Sequence, residues 1–399
     1  MKFKISQAQL LKTLTTASKS LLVRANLPIL SNLLLNVTGK GLEITSTNLE
    51  TATKIAVECK VELEGQTTIA GRSLIEFVSQ LPEGEITVEK LGGEAVFSAK
   101  GYSARFATMP ADEFPAIPQI EKGTTFEIDA RELAGAIDRV AFCAAQDEGR
   151  PILTGVLCEI AKGKMGVVAT DGYRLSFDEV KIISKEGLPS FKIIMPAKAL
   201  VEVGKIIEEE GGGKEGGQKE QVEKVEVTVS AALNQINFRL GGGKKEVKPV
   251  EFISRLIEGE FPNWQKIIPA NFVTRAEVSR AELARLVRIN SIFARESGNI
   301  IKFKLSREAG NGSSKGGATF EVLAQGGQTG SADASCAAQM SGEGGEIAFN
   351  FRYVLEILSV LAGEKVNFEM NESLNPGKIT TEVPKDPFFH IIMPVRLQA

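Results

Sequence analysis

Histidine is almost missing from this chain: His390 is the only one in 399 residues. A zinc site built on imidazoles, or a triad that needs a histidine base, therefore has next to nothing to draw on. Cysteine is sparse and scattered, at Cys59, Cys143, Cys158 and Cys336, with no CxxC pair. That usage excludes a disulfide framework and suits a reducing, cytoplasmic setting. No run of about 18 apolar residues is present, so no membrane-spanning helix is expected. The N-terminus opens on charged, alternating residues without the apolar core of a signal peptide. Neither sign of charge prevails: 47 Lys and Arg stand against 50 Asp and Glu, a net charge of −3. A protein that grips nucleic acid by bulk positive charge alone is thereby excluded, since such domains are strongly basic.

What is present is a repeat. At 43% hydrophobic and 24% charged residues the chain is an ordinary globular composition, long enough for two or three domains. Residues 3–11 read FKISQAQLL, 126–134 FEIDARELA and 276–284 AEVSRAELA. Each is a short alternating strand followed by a capping box: Ser6 with Gln9, Asp129 with Glu132, Ser279 with Glu282. Leu10, Leu133 and Leu283 then open an apolar helical stripe. A second shared element follows in each copy, IAGRSLIEFV (69–78), MPAKALVEVG (195–204) and FNFRYVLEIL (349–358). In that register Arg72, Lys198 and Arg352 correspond, as do Glu76, Glu202 and Glu356, each pair spaced i, i+4 on one helix face. β-rich stretches lie between and after the helices. The expected helices are 6–24, 71–81, 129–146, 197–207, 279–295 and 350–361. Phe114-Pro115 and Phe261-Pro262 punctuate the chain as extended connectors. Three modules follow, 1–121, 122–262 and 263–399. Residues 208–224 and 308–345, rich in Gly with charge or with Ser and Ala, read as flexible surface excursions.

Catalytic signatures do not survive inspection. GQTTIAGRS (65–73) misses a phosphate-binding loop by one residue of spacing and carries Arg72 where lysine is needed, and it falls at a helix start. Thr170-Asp171-Gly172 has no base or nucleophile beside it and reads as a turn. His390, in the alternating FFHIIMP, reads as structural or surface rather than catalytic. The six expected helices together carry +6, which against the chain's −3 leaves −9 for the remainder. A mildly basic helical surface with an acidic outside suits a polyanion, held weakly and in a salt-sensitive way.

The MKFKI start, LPILSNLLL (27–35), ATDGYRLSF (169–177), SRLIEGEFPNW (254–264) and IIMPVRL (391–397) resemble, in that order and over nearly the whole chain, the motifs of the bacterial DNA sliding clamps, the beta subunits of the replicative DNA polymerase. The resemblance implies an α+β fold of three repeated clamp domains. Two chains would join head to tail into a ring, helices lining the hole and sheets outside. It implies no catalysis and no cofactor or metal. It also explains how weak phosphate contacts suffice, since a closed ring is retained by topology. The implied partners are non-specifically encircled double-stranded DNA, a second copy of the chain, the polymerase catalytic subunit, the clamp loader and other proteins with clamp-binding motifs. Residue by residue, the resemblance assigns Arg24 and Gln146 to DNA, and the repeat adds Arg72 and Lys198. A peptide-binding cleft is implied at Leu153, Thr170, Gly172, Tyr173, Arg174, Leu175, Pro262, Ile267, Ile391, Met393, Pro394, Val395, Arg396 and Leu397. There Leu175 and Ile267 are expected as apolar walls and Arg174 as a cationic rim. Ile292 and Phe293, an apolar pair near a helix end, are the candidate dimer contact, with Phe106 opposite. The competing expectations are a repeat scaffold that binds proteins but not DNA and, more weakly, a nucleotide-dependent enzyme built on GQTTIAGRS.

Overall fold

The computed structural model describes residues 1–22, 26–183, 187–211, 223–241, 249–307, 317–328 and 330–396. Its helices are α1 (Gln7–Ala17), α2 (Gly71–Gln80), α3 (Ala130–Val140), α4 (Ala197–Gly211), α5 (Arg280–Ala294) and α6 (Phe351–Val360), set among antiparallel strands. No helix among the described residues is long and apolar enough to cross a membrane. The chain divides into two compact units, one of residues 1–134, 161–163 and 181–258, the other of 135–160, 164–180 and 259–399.

Cap chemistry starts the helices where the repeat places them. The Ser6 hydroxyl accepts from Gln9 N, Asp129 Oδ1 from Arg131 N and Glu132 N, and Ser279 from Glu282 N. The reciprocal half of the capping box does not form as expected. Gln9 Oε1 takes the Ser6 hydroxyl proton, and Glu132 accepts from Lys181 N. The helices also end elsewhere than the apolar stripes suggest. α1 tightens into a 3₁₀ turn at Ser18–Ser20, and Ala141–Cys143 does the same after α3. α4 instead runs on through Glu208, Glu209 and Glu210. The expected +6 depended on the longer bounds. Lys19 and Arg295 lie past their helices and three glutamates join α4, so the α-helices proper carry a net charge near zero. Arg24 lies outside the described residues.

In the first unit a continuous antiparallel sheet runs across two repeat copies. The strand Val250–Arg255 pairs with Thr51–Val57, Phe252 opposite Thr53. At GQTTIAGRS the strand Gly65–Ala70 passes straight into α2, so this segment is a helix start and not a phosphate loop. A Cβ on Gly71 would meet Leu21 Cδ2 at 2.7 Å and Leu33 Cγ at 3.0 Å, so a larger residue there has to push these leucine side chains aside.

In the second unit the strand Arg174–Lys181 pairs with Phe389–Ile392. The core around α5 and α6 is aromatic: Phe303, Phe320, Phe349 and Phe368 are fully buried and meet one another at ring centroids 5.3–6.0 Å apart. Leu283, Val287, Val354 and Ile357 pack on them with no exposed surface, each contributing about 1.5–3 kcal/mol by burial. Much of 308–345, expected as a flexible excursion, is sheet: the strands Gly317–Gln325 and Ser331–Ser341 pair along their length. Alternation explains it, with Ala318, Phe320, Val322 and Ala324 inward. Small residues hid the pattern, because alanine fills an inward position without marking it as hydrophobic. Residues 308–316 and 212–222, within the two expected excursions, lie outside the described residues.

Candidate functional site

The predicted cleft begins at the turn Thr170–Arg174. The Thr170 hydroxyl donates to Arg174 O at 2.6 Å and accepts from Gly172 N at 3.0 Å. Asp171 Oδ1 accepts from Tyr173 N and Arg174 N at 2.9 and 3.0 Å. Gly172 takes φ +92°, a conformation that disfavours any side chain there. The Asp-Gly pair is therefore a turn, and its effect is to leave Tyr173 60% exposed at the tip. Arg150 Nη1 donates to Asp171 O at 2.7 Å, tying the 146–153 loop to this turn.

Beyond the turn, strand alternation sends Leu175 and Phe177 to one face and Arg174, Ser176 and Asp178 to the other. Register sets Leu175 opposite Ile391 and Arg174 opposite Ile392. Met393 N then donates to Tyr173 O at 2.8 Å, which ties the terminal segment to the turn, and Val395 N donates to Ala348 O at 2.9 Å, which carries it on to the strand Gly345–Asn350. Trp264 stacks on Phe177 with centroids 5.2 Å apart and anchors the segment that carries Pro262 and Ile267 beside the same strand. Sequence positions 153–175, 262–267 and 391–396 thus meet in one region. Tyr173, Gly172, Pro262, Ile267 and Arg396 are exposed there, and Leu153, Met393, Pro394 and Val395 are half-buried. Leu397 lies outside the described residues.

Two expected roles need correction. Leu175, expected as an apolar wall with Ile267, has no exposed surface and forms the floor beneath this region together with the fully buried Ile391, whereas Ile267 is 39% exposed. Arg174 is no free cationic rim, because it is only 8% exposed. Its Nε donates to Asp171 Oδ2 at 3.1 Å, its Nη2 to Phe142 O at 3.0 Å and its Nη1 to Glu356 Oε2. The guanidinium lies between the rings of Tyr353 and Phe142, at 4.6 and 5.2 Å from their centroids. The planar fork is satisfied in three directions, as only arginine can be. Phe142, Asp171, Tyr353 and Glu356 escaped the sequence reading as members of this region. The one available signal was Glu356, which the repeat aligns with Glu76 and Glu202 but which pairs here with Arg174 and not with Arg352.

Behind Arg174 sits a buried polar row. His390 has no exposed surface, and its Nδ1 lies 2.7 Å from Ser176 Oγ. Its Nε2 has no hydrogen-bond partner among the described residues, so the histidine is structural but only half satisfied. Burial, with Arg174 nearby, pushes its pKa down to about 3 and keeps the ring neutral. Burial pushes the adjacent Cys143 thiol up to about 12, which removes the thiolate a nucleophile needs. Further along, Asp178 meets Arg139 Nη2 at 2.6 Å, and Asp386 meets Arg139 Nη1 at 3.2 Å. Burial raises the Asp178 carboxyl to about 6 while Arg139 holds it from rising further.

The remaining candidates occupy separate places. Arg72 is exposed in the first turn of α2, Lys198 in the first turn of α4, and Gln146 in the loop after Ala141–Cys143. Glu202 pairs with Lys205 at 2.7 Å and leaves the i, i+4 lysine aside. Ile292 is 61% exposed in the last turn of α5, whereas Phe293 is half-buried against the aromatic core. Phe106 is half-buried on the strand Tyr102–Met109, edge-on to Phe77 and Phe97.

The strand–helix module occurs three times along the chain, and the comparisons with known proteins identify it as the repeat of a clamp. Residues 1–118, 127–263 and 265–396 match the N-terminal, central and C-terminal domain models of the DNA polymerase III beta subunit. The beta sliding clamp of Chlamydia trachomatis is 29% identical over 400 residues, covering 100% of this chain and 87% of that protein. That of Pseudomonas aeruginosa is 28% identical over 403 residues, with both chains fully covered. Among solved structures, the beta subunit of Thermotoga maritima superimposes with a TM-score of 0.85 at 27% identity. The Pseudomonas aeruginosa clamp bound to griselimycin superimposes with a TM-score of 0.86 at 25% identity, and both matches cover each chain fully. The chain belongs to the DNA polymerase III beta subunit family: it is a DNA sliding clamp, a processivity factor and not an enzyme.

Proposed function

We propose that the chain works as three clamp domains, 1–121, 122–262 and 263–399, and that two cytoplasmic copies close head to tail around duplex DNA. Arg24, Arg72, Gln146 and Lys198 contact phosphates in the hole without reading base edges. Ile292 and Phe293 of one copy meet Phe106 of the other, and the half-buried setting of Phe293 makes Ile292 the leading contact. The region between the Thr170–Arg174 turn and the 391–397 segment receives short peptides of the polymerase catalytic subunit, the clamp loader and other clamp-binding proteins.

The observation that carries the peptide reading is the bond from Met393 N to Tyr173 O. It draws two distant sequence motifs into one partly apolar surface with a deformable methionine at its centre. Arg174 acts in this region by holding the turn and not by meeting the peptide directly. Extended peptides gain affinity there from a few buried anchors, so binding is of micromolar order.

Retention on DNA tests the ring. Clamp loaded on nicked circular duplex stays bound through gel filtration at about 0.2 M salt, where exposed phosphate contacts are screened. It is lost once the circle is linearised. Equal loss from circle and linear duplex would refute encirclement.

A further inference from the structure

The last turn of α4 reads Glu208-Glu209-Glu210. Negative charge is disfavoured at that end of a helix, where the carbonyl dipoles already point their negative pole. Two of these carboxylates are compensated by α1 and the turn after it. Lys12 Nζ lies 2.8 Å from Glu210 Oε2, and Lys19 Nζ lies 2.5 Å from Glu209 Oε1. Between them the Thr16 hydroxyl donates to Glu210 Oε1 at 3.3 Å. Positions 12, 16 and 19 recur at helical spacing, so one face of this segment is turned to the acidic end of α4. All of these groups lie within one compact unit.

The partners differ in freedom. The Lys12 side chain is 58% exposed while that of Glu210 is only 10% exposed. The Lys12 ammonium can swing to another anion while its carboxylate stays in place. In the second pair the Lys19 side chain is 14% exposed and that of Glu209 38%, so there the carboxylate is the freer partner and Lys19 meets phosphate only after Glu209 moves off. A strand of phosphates offers the same chemistry as the two carboxylates, anionic oxygens that accept from ammonium groups.

We propose that Glu209 and Glu210 are internal stand-ins for DNA phosphate, which occupy Lys12 and Lys19 in the free protein and compete with the duplex for them. Each phosphate contact by these lysines is then an exchange of one anion for another. Its affinity is lower and its salt dependence shallower than for a free cation. A ring held by topology has no need of tight phosphate binding, and a lysine with a resident counter-ion releases the backbone more readily as the ring slides. The proposal rests on the ring reading, in which the helices face DNA.

The test is equilibrium binding of a fluorescent random-sequence duplex by the full-length protein across a salt series. Glu209→Gln/Glu210→Gln binds on the order of tenfold tighter at low salt. Its slope of log K against log salt is steeper by up to about 1.8, the full value being reached where the two lysines contact phosphate only in the variant. Glu121→Gln/Glu223→Gln removes the same net charge elsewhere and changes both far less. Adding Lys12→Gln/Lys19→Gln to the first variant cancels the gain. Glu210→Asp, which keeps the charge but withdraws its reach, gives part of it and guards against loss of folding in the double variant. Equal tightening in the Glu121/Glu223 control, or none in the Glu209/Glu210 variant while the wild type still binds, overturns the proposal. A wild type that is not retained even on circular duplex overturns the ring reading, and the proposal with it.

Discussion

Replacing Arg174 with alanine removes three donors at once. Asp171, with a side chain 15% exposed, keeps its two backbone partners but loses its cation. Breaking a buried ion pair from one side costs about 3–5 kcal/mol, and the surviving backbone bonds favour the low end. Glu356 is 48% exposed, so water replaces most of what it loses and its share stays below about 1 kcal/mol. The Tyr353 and Phe142 ring contacts add roughly 0.5–1 kcal/mol each. The expected cost is therefore about 4–6 kcal/mol, read as a lower urea midpoint of the second unit. Hydrogen exchange localises it: the amides of Tyr173, Arg174 and Met393, all bonded within the turn, lose protection first. Arg174→Lys keeps a cation beside Asp171 but not the three-way fork, and recovers only part of the loss. A cost under about 1 kcal/mol with unchanged exchange at Met393 would refute the view that Arg174 organises this region.

Three other outcomes follow from the same structure. His390 has a folded pKa far below its unfolded value of about 6.5, so protons bind the unfolded chain preferentially and stability falls as pH drops from about 6.5 toward 3. Asp178, raised to about 6, acts in the opposite sense and loses stability as pH rises through 4 to 6. The difference between wild type and His390→Gln isolates the histidine: the wild type loses roughly 3 kcal/mol more between pH 6.5 and pH 4, and parallel pH profiles would contradict a neutral buried ring. Ile292→Asp, at a position 61% exposed, leaves the fold intact and yields a monomer in sedimentation, and a persistent dimer removes Ile292 from the interface. Deleting 393–399 breaks the Met393–Tyr173 and Val395–Ala348 bonds yet leaves the protein folded. Calorimetry then finds no binding of Gln- and Leu-rich polymerase peptides, and unchanged affinity would place the peptide site elsewhere.

The sequence alone determined the repeat, the order of elements and where each helix begins. These are local matters: a Ser or Asp side chain meets an amide two or three residues on, and an apolar stripe follows from helical spacing. Family membership was legible too, because several motifs of the clamp appear in order. Where helices end was not legible. α4 continues through three glutamates, two of which lysines from another segment compensate, and no local rule carries that information. The strands of 317–341 were hidden because their inward positions are partly alanine, which becomes a core residue only against the aromatic rings across from it. Arg174 shows the division most plainly. Its presence in a motif was readable, and an exposed cation was the natural expectation. Only the tertiary structure brings Asp171, Phe142, Tyr353 and Glu356 around it, from segments up to 182 positions apart in the chain. Burial and charge compensation are set by what arrives from elsewhere, and that turns an expected binding group into a brace.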